Sequence, residues 1–311
     1  MDDKVQILLS VYKPNKEYLI KQLISLNDQD YQNLELLIFD DGFSVEKCEV
    51  EIFNQYITNF SFKILPYENK TLGYEGAFEK LVEASDASYI AFCDQDDVWR
   101  KDKISKCVAT LKKEHALAVA SDRMLIDKDD NIICESVRKS SKKNYESWNS
   151  GDDISKYNLF VTFAVGMSIV ADGPYTRSIL PFSKNTGHDK WLLSCASTDG
   201  NVSFIHDTLV QYRRHGNNVS GVLIGIDSKE DYLNKRVLPC IRLVNDFLER
   251  YPNHKDKEEI KEFAYARKNH EILKLIKYRN LAPDISKFEV MLCLIPNFMF
   301  SFLVKLARKL S

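Results

Sequence analysis

The chain has 311 residues, 44% hydrophobic and 28% charged, with a formal net charge of -2. This is ordinary globular composition, and the length suits one large domain or one domain with an appendage. The near-neutral balance excludes a nucleic-acid binder that works through bulk charge, and seven scattered cysteines without a CxxC pair exclude a disulfide frame or zinc site.

Met1-Asp2-Asp3-Lys4 leads straight into an apolar run, so no signal peptide is expected and the thiols read as reduced and intracellular. The run Val5 to Tyr12 has strand length, and Tyr18, Leu19, Leu23, Ile24 and Leu26 then form one helical stripe. Leu34 to Phe39 is almost wholly apolar, as a strand covered on both faces should be. A helix over Val45–Tyr56, a strand at Phe62–Leu65, a helix from Tyr74 to Ala84 and a strand from Ser88 to Cys93 follow. A helix near Asp102–Glu114 and a strand at Ala116–Ala120 continue the alternation, which implies a mostly parallel sheet with helices on both faces.

Regularity fades after Asp122. Arg123–Ile126 and Ile132–Cys134 read as a hairpin, and Lys139 to Asp153 as a polar loop. Strands are expected in Gly166–Ala171 and Asn201–Arg214, with a helix over Asp189–Ala196 between them. From Ser228 onward the pattern is helical. An apolar run from Val290 to Val304 is broken at Pro296-Asn297 and followed by Lys305, Arg308 and Lys309.

Ligands of open α/β sheets sit at the carboxyl ends of strands. Two strands end there in acid, one in Asp40-Asp41-Gly42 and the other in Asp94-Gln95-Asp96-Asp97. In an extended segment Asp94 and Asp96 project together, and two adjacent carboxylates repel. A Mg2+ or Mn2+ ion shared with a diphosphate relieves that repulsion; a solvated acidic turn capping the next helix is the alternative. Asp40 and Asp41 suit a ribose hydroxyl or base N–H, or simply an Asp-Gly turn.

Gly73 and Gly76, just before a helix, allow close backbone approach to a ligand. They form no GxGxxG fingerprint, and no GxxxxGK[ST] loop is present, so a nicotinamide-cofactor reading fails. Asp189, in the first turn of a helix, is either a cap or a general base. Gln211-Tyr212-Arg213-Arg214-His215 ends a strand in cations, suited to phosphates or a metal, or to a solvated loop.

In order along the chain, ILLSVY, DDG, LGYEGAF, FCDQDDVW, FAVGMS, HDKW and QYRRHGNN resemble a family 2 glycosyltransferase of the GT-A fold, over roughly residues 4 to 221. The wording is most similar to bacterial rhamnosyltransferases that build cell-surface polysaccharides. The resemblance implies a GT-A catalytic domain over 1–225, with a nucleotide-sugar half to about 122 and an acceptor half over 123–225. A helical region follows over 226–311. It implies that Ser10, Tyr12, Asp40, Asp41 and Gly73 meet the nucleotide and that Asp94 and Asp96 form the DxD element, with His215 completing a metal shell. It further implies that Arg213 and Arg214 stabilise the departing diphosphate and that Asp189 is the catalytic base. Asp97, Trp99, Gly166, Met167, His188 and Trp191 would then line the sugar and acceptor pocket. Phe43 and Glu46, where the family favours a small residue and Asp, and Met167-Ser168, often Cys-Thr, depart from the pattern.

The activity so implied is inverting, metal-dependent transfer from a nucleotide diphosphate sugar to a lipid-linked saccharide, in cell-wall or capsular polysaccharide synthesis. dTDP-L-rhamnose is the first choice of donor; UDP-glucose, UDP-galactose and UDP-galactofuranose are alternatives. A nucleotidyltransferase would need a Gly-rich basic loop where Lys13-Pro14-Asn15-Lys16 stands, and an inactive sugar-binding scaffold would not need both the DxD and Asp189. No nucleic-acid partner is expected. The helix over 288–309 is too short and interrupted to span a bilayer. It suits the membrane interface on the cytoplasmic face of the plasma membrane, or else packing on the catalytic domain or in a homodimer.

Overall fold

The computed structural model describes residues 2–42, 48–67, 70–140, 148–215, 225–301 and 304. Phe43 and Glu46, the start of the helix expected from Val45, residues 141–147 of the polar loop, Gly216-Asn217-Asn218, and Lys305, Arg308 and Lys309 lie outside the described residues.

The chain runs β1 (Val5–Val11), α1 (Lys16–Asn27), β2 (Leu34–Asp40), α2 (Cys48–Tyr56), β3 (Ser61–Ile64), α3 (Gly73–Ala84), β4 (Tyr89–Cys93), β5 (Val98–Trp99) and α4 (Lys103–Glu114). It continues with β6 (Ala116–Ile126), β7 (Ile132–Cys134), the short helices α5 (Val137–Ser140) and α6 (Ser155–Asn158), β8 (Ile169–Asp172), α7 (Gly173–Ser178), α8 (His188–Asp199) and β9 (Asn201–Arg213). Helices α9 (Lys229–Tyr232), α10 (Leu238–Arg250), α11 (Lys257–Asn269), α12 (Ile272–Lys277) and α13 (Pro283–Leu294) follow.

Chain contacts define two compact units. The first comprises Met1–Ser155, Thr162–Phe182 and Gly187–Gly216; the second comprises Lys156–Val161, Ser183–Thr186 and Asn217–Ser311. The long segment of the second unit contains the helical region expected over 226–311, and two earlier segments belong to the same unit.

In the first unit the sheet order is β3-β2-β1-β4-β8-β6-β9-β5, with β7 beside β6. Strands β3, β2, β1 and β4 are parallel, as are β6 and β9. Strand β8 enters antiparallel between β4 and β6. The segment expected as a strand from Gly166 is instead a tight helical turn to Ser168, and the strand begins at Ile169.

Local chemistry starts and orients these elements. Asn15 caps α1 by accepting the Glu17 and Tyr18 N–H groups; of the expected stripe Leu19, Leu23 and Leu26 are buried, while Ile24 is exposed and Tyr18 only partly buried. Gln6, buried on β1, accepts from Ser85 Oγ and from the Asp86 and Ala87 N–H groups, which fixes the entry to β4. The fragments expected at Ala116–Ala120 and Arg123–Ile126 are one strand, β6, whose register against β9 shifts at Asp122.

The second unit is helical from Lys229 to Leu294 apart from short connections. Its buried polar centre is the Arg267–Glu289 pair, Nε to Oε1 at 2.9 Å, with Tyr232 donating to Glu289 at 2.7 Å. Leu292, Phe300 and Val304 pack with Ile226.

Candidate active site

The ends of β1 and β4 are tied by the middle residue of the acidic motif. Gln95 Oε1 accepts the Tyr12 N–H at 2.8 Å, and its Nε2 donates to the Tyr12 carbonyl at 3.1 Å. Ser10 sits beside Phe39 on β1, partly exposed, and the Tyr12 side chain is 47% exposed. At the end of β2, Asp40 accepts the Gly42 N–H at 2.7 Å. Asp41 accepts the Leu72 N–H at 2.6 Å and the Gly73 N–H at 2.8 Å. Gly73 has φ +74°, so its freedom serves the turn into α3 and its N–H points at Asp41 instead of at a ligand.

The chain bends at Gln95-Asp96 instead of continuing extended. Asp94 and Asp96 still share a field. Burial, then Asp96, then Asp189 raise the Asp94 carboxyl to about 7. Asp189, in the first turn of α8, therefore lies within electrostatic reach of Asp94 from over ninety residues away. Gly187 makes room for it: a Cβ there would lie 2.6 Å from Asp189 Oδ1, which accepts the Lys190 N–H at 2.7 Å. His215, at the end of β9, places Nε2 2.7 Å from Asp96 Oδ2, its ring tilted against Tyr18 with centroids 5.7 Å apart. Arg214 is exposed.

Several expected pocket residues are core residues. Asp97 is fully buried; its Oδ1 accepts the Arg213 N–H at 3.0 Å, and burial with Asp96 and Asp94 nearby pushes its pKa well up. Arg213 is fully buried too, donating to the Asp96 carbonyl at 2.9 Å, the Asp127 carbonyl at 3.2 Å and Asp130 Oδ1 at 2.5 Å. Its guanidinium stacks on Tyr18 at 4.5 Å. It therefore braces the acidic motif from within, where a diphosphate contact had been expected. Trp99 and Met167 belong to the central apolar cluster, and Trp191 is buried with its indole N–H on the Ile179 carbonyl at 3.3 Å. His188 is clamped between Phe78 and Phe92, at centroid distances of 4.0 and 4.5 Å, and among the described residues neither ring nitrogen has a hydrogen-bond partner. Burial lowers its pKa to about 4, so it is neutral. Gly166 is required by that ring: a Cβ would lie 2.4 Å from His188 Nε2.

Sequence reading missed Gln95, Tyr18, Asp130 and Gly187. Only Gly187 carried a signal, as a glycine directly before a helix that opens with an acidic residue.

Among the described residues, no group of three or more His, Cys, Asp or Glu side chains is gathered as a metal cluster. The donor set at the sheet edge nonetheless fits a divalent cation. Asp94 and Asp96 are hard oxygen ligands with mutual repulsion to relieve, and Mg2+ usually takes one or two carboxylates with phosphate oxygens and water. For His215 and Asp96 to ligate one ion, the hydrogen bond between Nε2 and Oδ2 would have to give way to it.

A family model described as glycosyl transferase family 2 matches residues 7–170. An uncharacterized glycosyltransferase of Nostoc sp. is 24% identical over 255 residues, 79% of this chain and 76% of that protein. The amylovoran biosynthesis glycosyltransferase AmsB of Erwinia amylovora is 25% identical over 113 residues, 36% of this chain and 37% of that protein. Among solved structures, S. aureus TarS 1-349 in complex with UDP-GlcNAc has a TM-score of 0.60 at 14% identity, covering 91% of this chain and 82% of that one.

Proposed function

The chain belongs to glycosyl transferase family 2, and from that premise we propose that it moves one sugar, with inversion, from a nucleotide diphosphate sugar to a saccharide hydroxyl. The observation that supports this reading is that Asp189 lies within electrostatic reach of Asp94, beside Asp96, at the carboxyl edge of the sheet. Asp189 takes the proton of the acceptor hydroxyl, whose oxygen attacks the anomeric carbon from the face opposite the diphosphate. The diphosphate departs with the bonding electron pair. A Mg2+ or Mn2+ ion held by Asp94 and Asp96, with His215 as a further ligand, would offset the charge of that leaving group. Gln95, Arg213 and Gly187 set the positions of these carboxylates, and holding the partners in line supplies much of the rate. Arg214 is the exposed cation available to the diphosphate, and Ser10, Tyr12 and Asp40 the groups nearest the nucleotide.

dTDP-L-rhamnose remains the first donor to test, on motif wording. UDP-GlcNAc joins the panel because TarS was captured with it, beside UDP-glucose, UDP-galactose and UDP-galactofuranose. The proposed acceptor is a lipid-linked saccharide; the polysaccharide-synthesis part of that reading is supported by likeness to AmsB and to TuaG of Bacillus subtilis, named for teichuronic acid biosynthesis. Among the described residues no helix is long and apolar enough to cross a membrane. Met291, Leu294, Phe298 and Met299 are exposed, which supports contact of the C-terminal segment with the membrane interface; a self-association surface is the competing use.

Asp189→Asn tests the core of the proposal. Transfer should fall about 10²–10⁴-fold while the melting temperature and nucleotide binding hold. Near wild-type transfer by the folded variant would remove Asp189 from the base role.

A further inference from the structure

An exposed aromatic ring stands beside Asp189, and the transfer reading does not use it. Tyr74 lies in the first turn of α3 and is 45% exposed, while Ala77 and Phe78 of the next turn are buried. Residues four apart share a helix face. Phe78 packs on His188 at a centroid distance of 4.0 Å, so Tyr74, one turn earlier, is set beside the start of α8. Its Cε2 lies 3.7 Å from the point where a Cβ on Gly187 would stand, and Asp189 Oδ1 lies 2.6 Å from the same point. The missing Cβ of Gly187 thus lets the ring edge and the carboxylate come to one place. Asp189 is only partly buried, so both groups are reachable from solvent.

The ring is held from behind. Asp41, at the end of β2, accepts the Leu72 and Gly73 N–H groups at 2.6 and 2.8 Å, which gives α3 the cap that the Leu72 side chain cannot supply. Gly73 takes φ +74° to make the turn. Gly76 admits the Leu72 side chain, since a Cβ there would lie 2.8 Å from Leu72 Cβ. The Tyr74 hydroxyl donates to Glu75. The glycines of LGYEGAF therefore serve to place an aromatic residue. A tyrosine so fixed, with nearly half its surface open, offers a large apolar face at little entropic cost, and the C–H face of a sugar ring is a fitting partner.

The charges around the ring say which sugar it meets. Asp189 acts on Asp94 and also on Tyr74, whereas neither Asp94 nor Asp96 acts on Tyr74. The ring is therefore nearer to Asp189 than to the carboxylate pair that would face the diphosphate. Inverting transfer brings the acceptor in from the face opposite the diphosphate, with its hydroxyl on the base. We propose that Tyr74 is the platform on which the acceptor sugar ring stacks, setting its hydroxyl against Asp189. The word acceptor rests on the transfer reading; the presence of a sugar-binding platform does not.

The test is saturation-transfer NMR on the full chain, irradiating aromatic ring protons, with the methyl glycosides of glucose, galactose, N-acetylglucosamine and rhamnose as probes and open-chain sorbitol as the control. At least one glycoside should receive saturation on the C–H protons of one ring face, and sorbitol should receive none. Tyr74→Ala should weaken binding of that glycoside about three- to tenfold, the worth of one aromatic contact. Tyr74→Phe should bind nearly as well as the wild type, because the hydroxyl is spent on Glu75. If Tyr74→Ala fails to fold, Tyr74→Leu decides, since it keeps the bulk and loses the aromatic face. Transfer to none of the glycosides, or binding that Tyr74→Ala and Tyr74→Leu leave unchanged, would overturn the proposal. Displacement of the glycoside by UDP-GlcNAc or dTDP-L-rhamnose, with UDP and dTDP inert, would give the ring to the donor sugar and overturn it too. The two readings fail separately. Wild-type transfer by Asp189→Asn removes the base and leaves the platform, whereas an active enzyme without Tyr74-dependent glycoside contact loses only the platform.

Discussion

Asp97 accepts the backbone N–H of Arg213 at 3.0 Å, and Arg213 returns a hydrogen bond from Nε to the carbonyl of Asp96 at 2.9 Å. Two residues that look like surface charges in the sequence are fully buried and clasp the acidic motif to the end of β9. This clasp sets the direction of Asp96 and, two residues beyond Arg213, the position of His215.

Arg213→Met should therefore be a folding variant before it is a substrate-binding variant. Removing one partner of a buried charged network costs about 3–5 kcal/mol. Chemical denaturation should show that loss, and donor affinity measured on the folded fraction should change less than stability does. A purely functional defect at full stability would contradict the clasp.

Gly166→Ala places a methyl into the space of the His188 ring, 2.4 Å from Nε2. Overpacking of this kind costs about 1–3 kcal/mol. Combining it with His188→Ala should recover part of the loss, because the ring that the methyl meets is gone. A double-mutant cycle with no coupling would mean that the ring shifts freely.

His188 also gives the fold an acid-sensitive window. Its folded pKa is lowered to about 4 by burial, against an ordinary value near 6.5. Between those values the unfolded chain binds a proton that the folded chain refuses, so stability falls as pH drops from about 6.5 to about 4 and levels off below. The contribution is on the order of 3 kcal/mol. His188→Asn should flatten this window in urea titrations run at several pH values; an unchanged slope would place the acid sensitivity elsewhere.

Chelation tests the carboxylate pair. EDTA should abolish transfer, and Mg2+ or Mn2+ should restore it. Mn2+ with UDP should raise the melting temperature of the wild type, and Asp96→Asn should lose most of that rise. Full transfer in EDTA would remove the metal from Asp94 and Asp96.

The sequence by itself determined the alternation of β1 to β4 with their helices, because buried parallel strands must be apolar runs and helices must carry a stripe. It also determined that Asp40, Asp41, Asp94 and Asp96 stand at the carboxyl edge, since that follows from where apolar runs stop. Only the tertiary structure decided which charges face solvent. Arg213 and Asp97 are spelled like Arg214 and Asp96, and what separates them is a backbone N–H and carbonyls arriving from segments more than eighty residues away. The same holds for the approach of Asp189 to Asp94, for Gln95 gripping Tyr12, and for Gly166 yielding to His188. Each depends on contacts across the sheet, and local periodicity carries no record of which distant group will occupy the space beside a side chain. The reversal of β8 and the bulge at Asp122 are likewise pairing decisions, made by neighbouring strands and invisible in either strand alone.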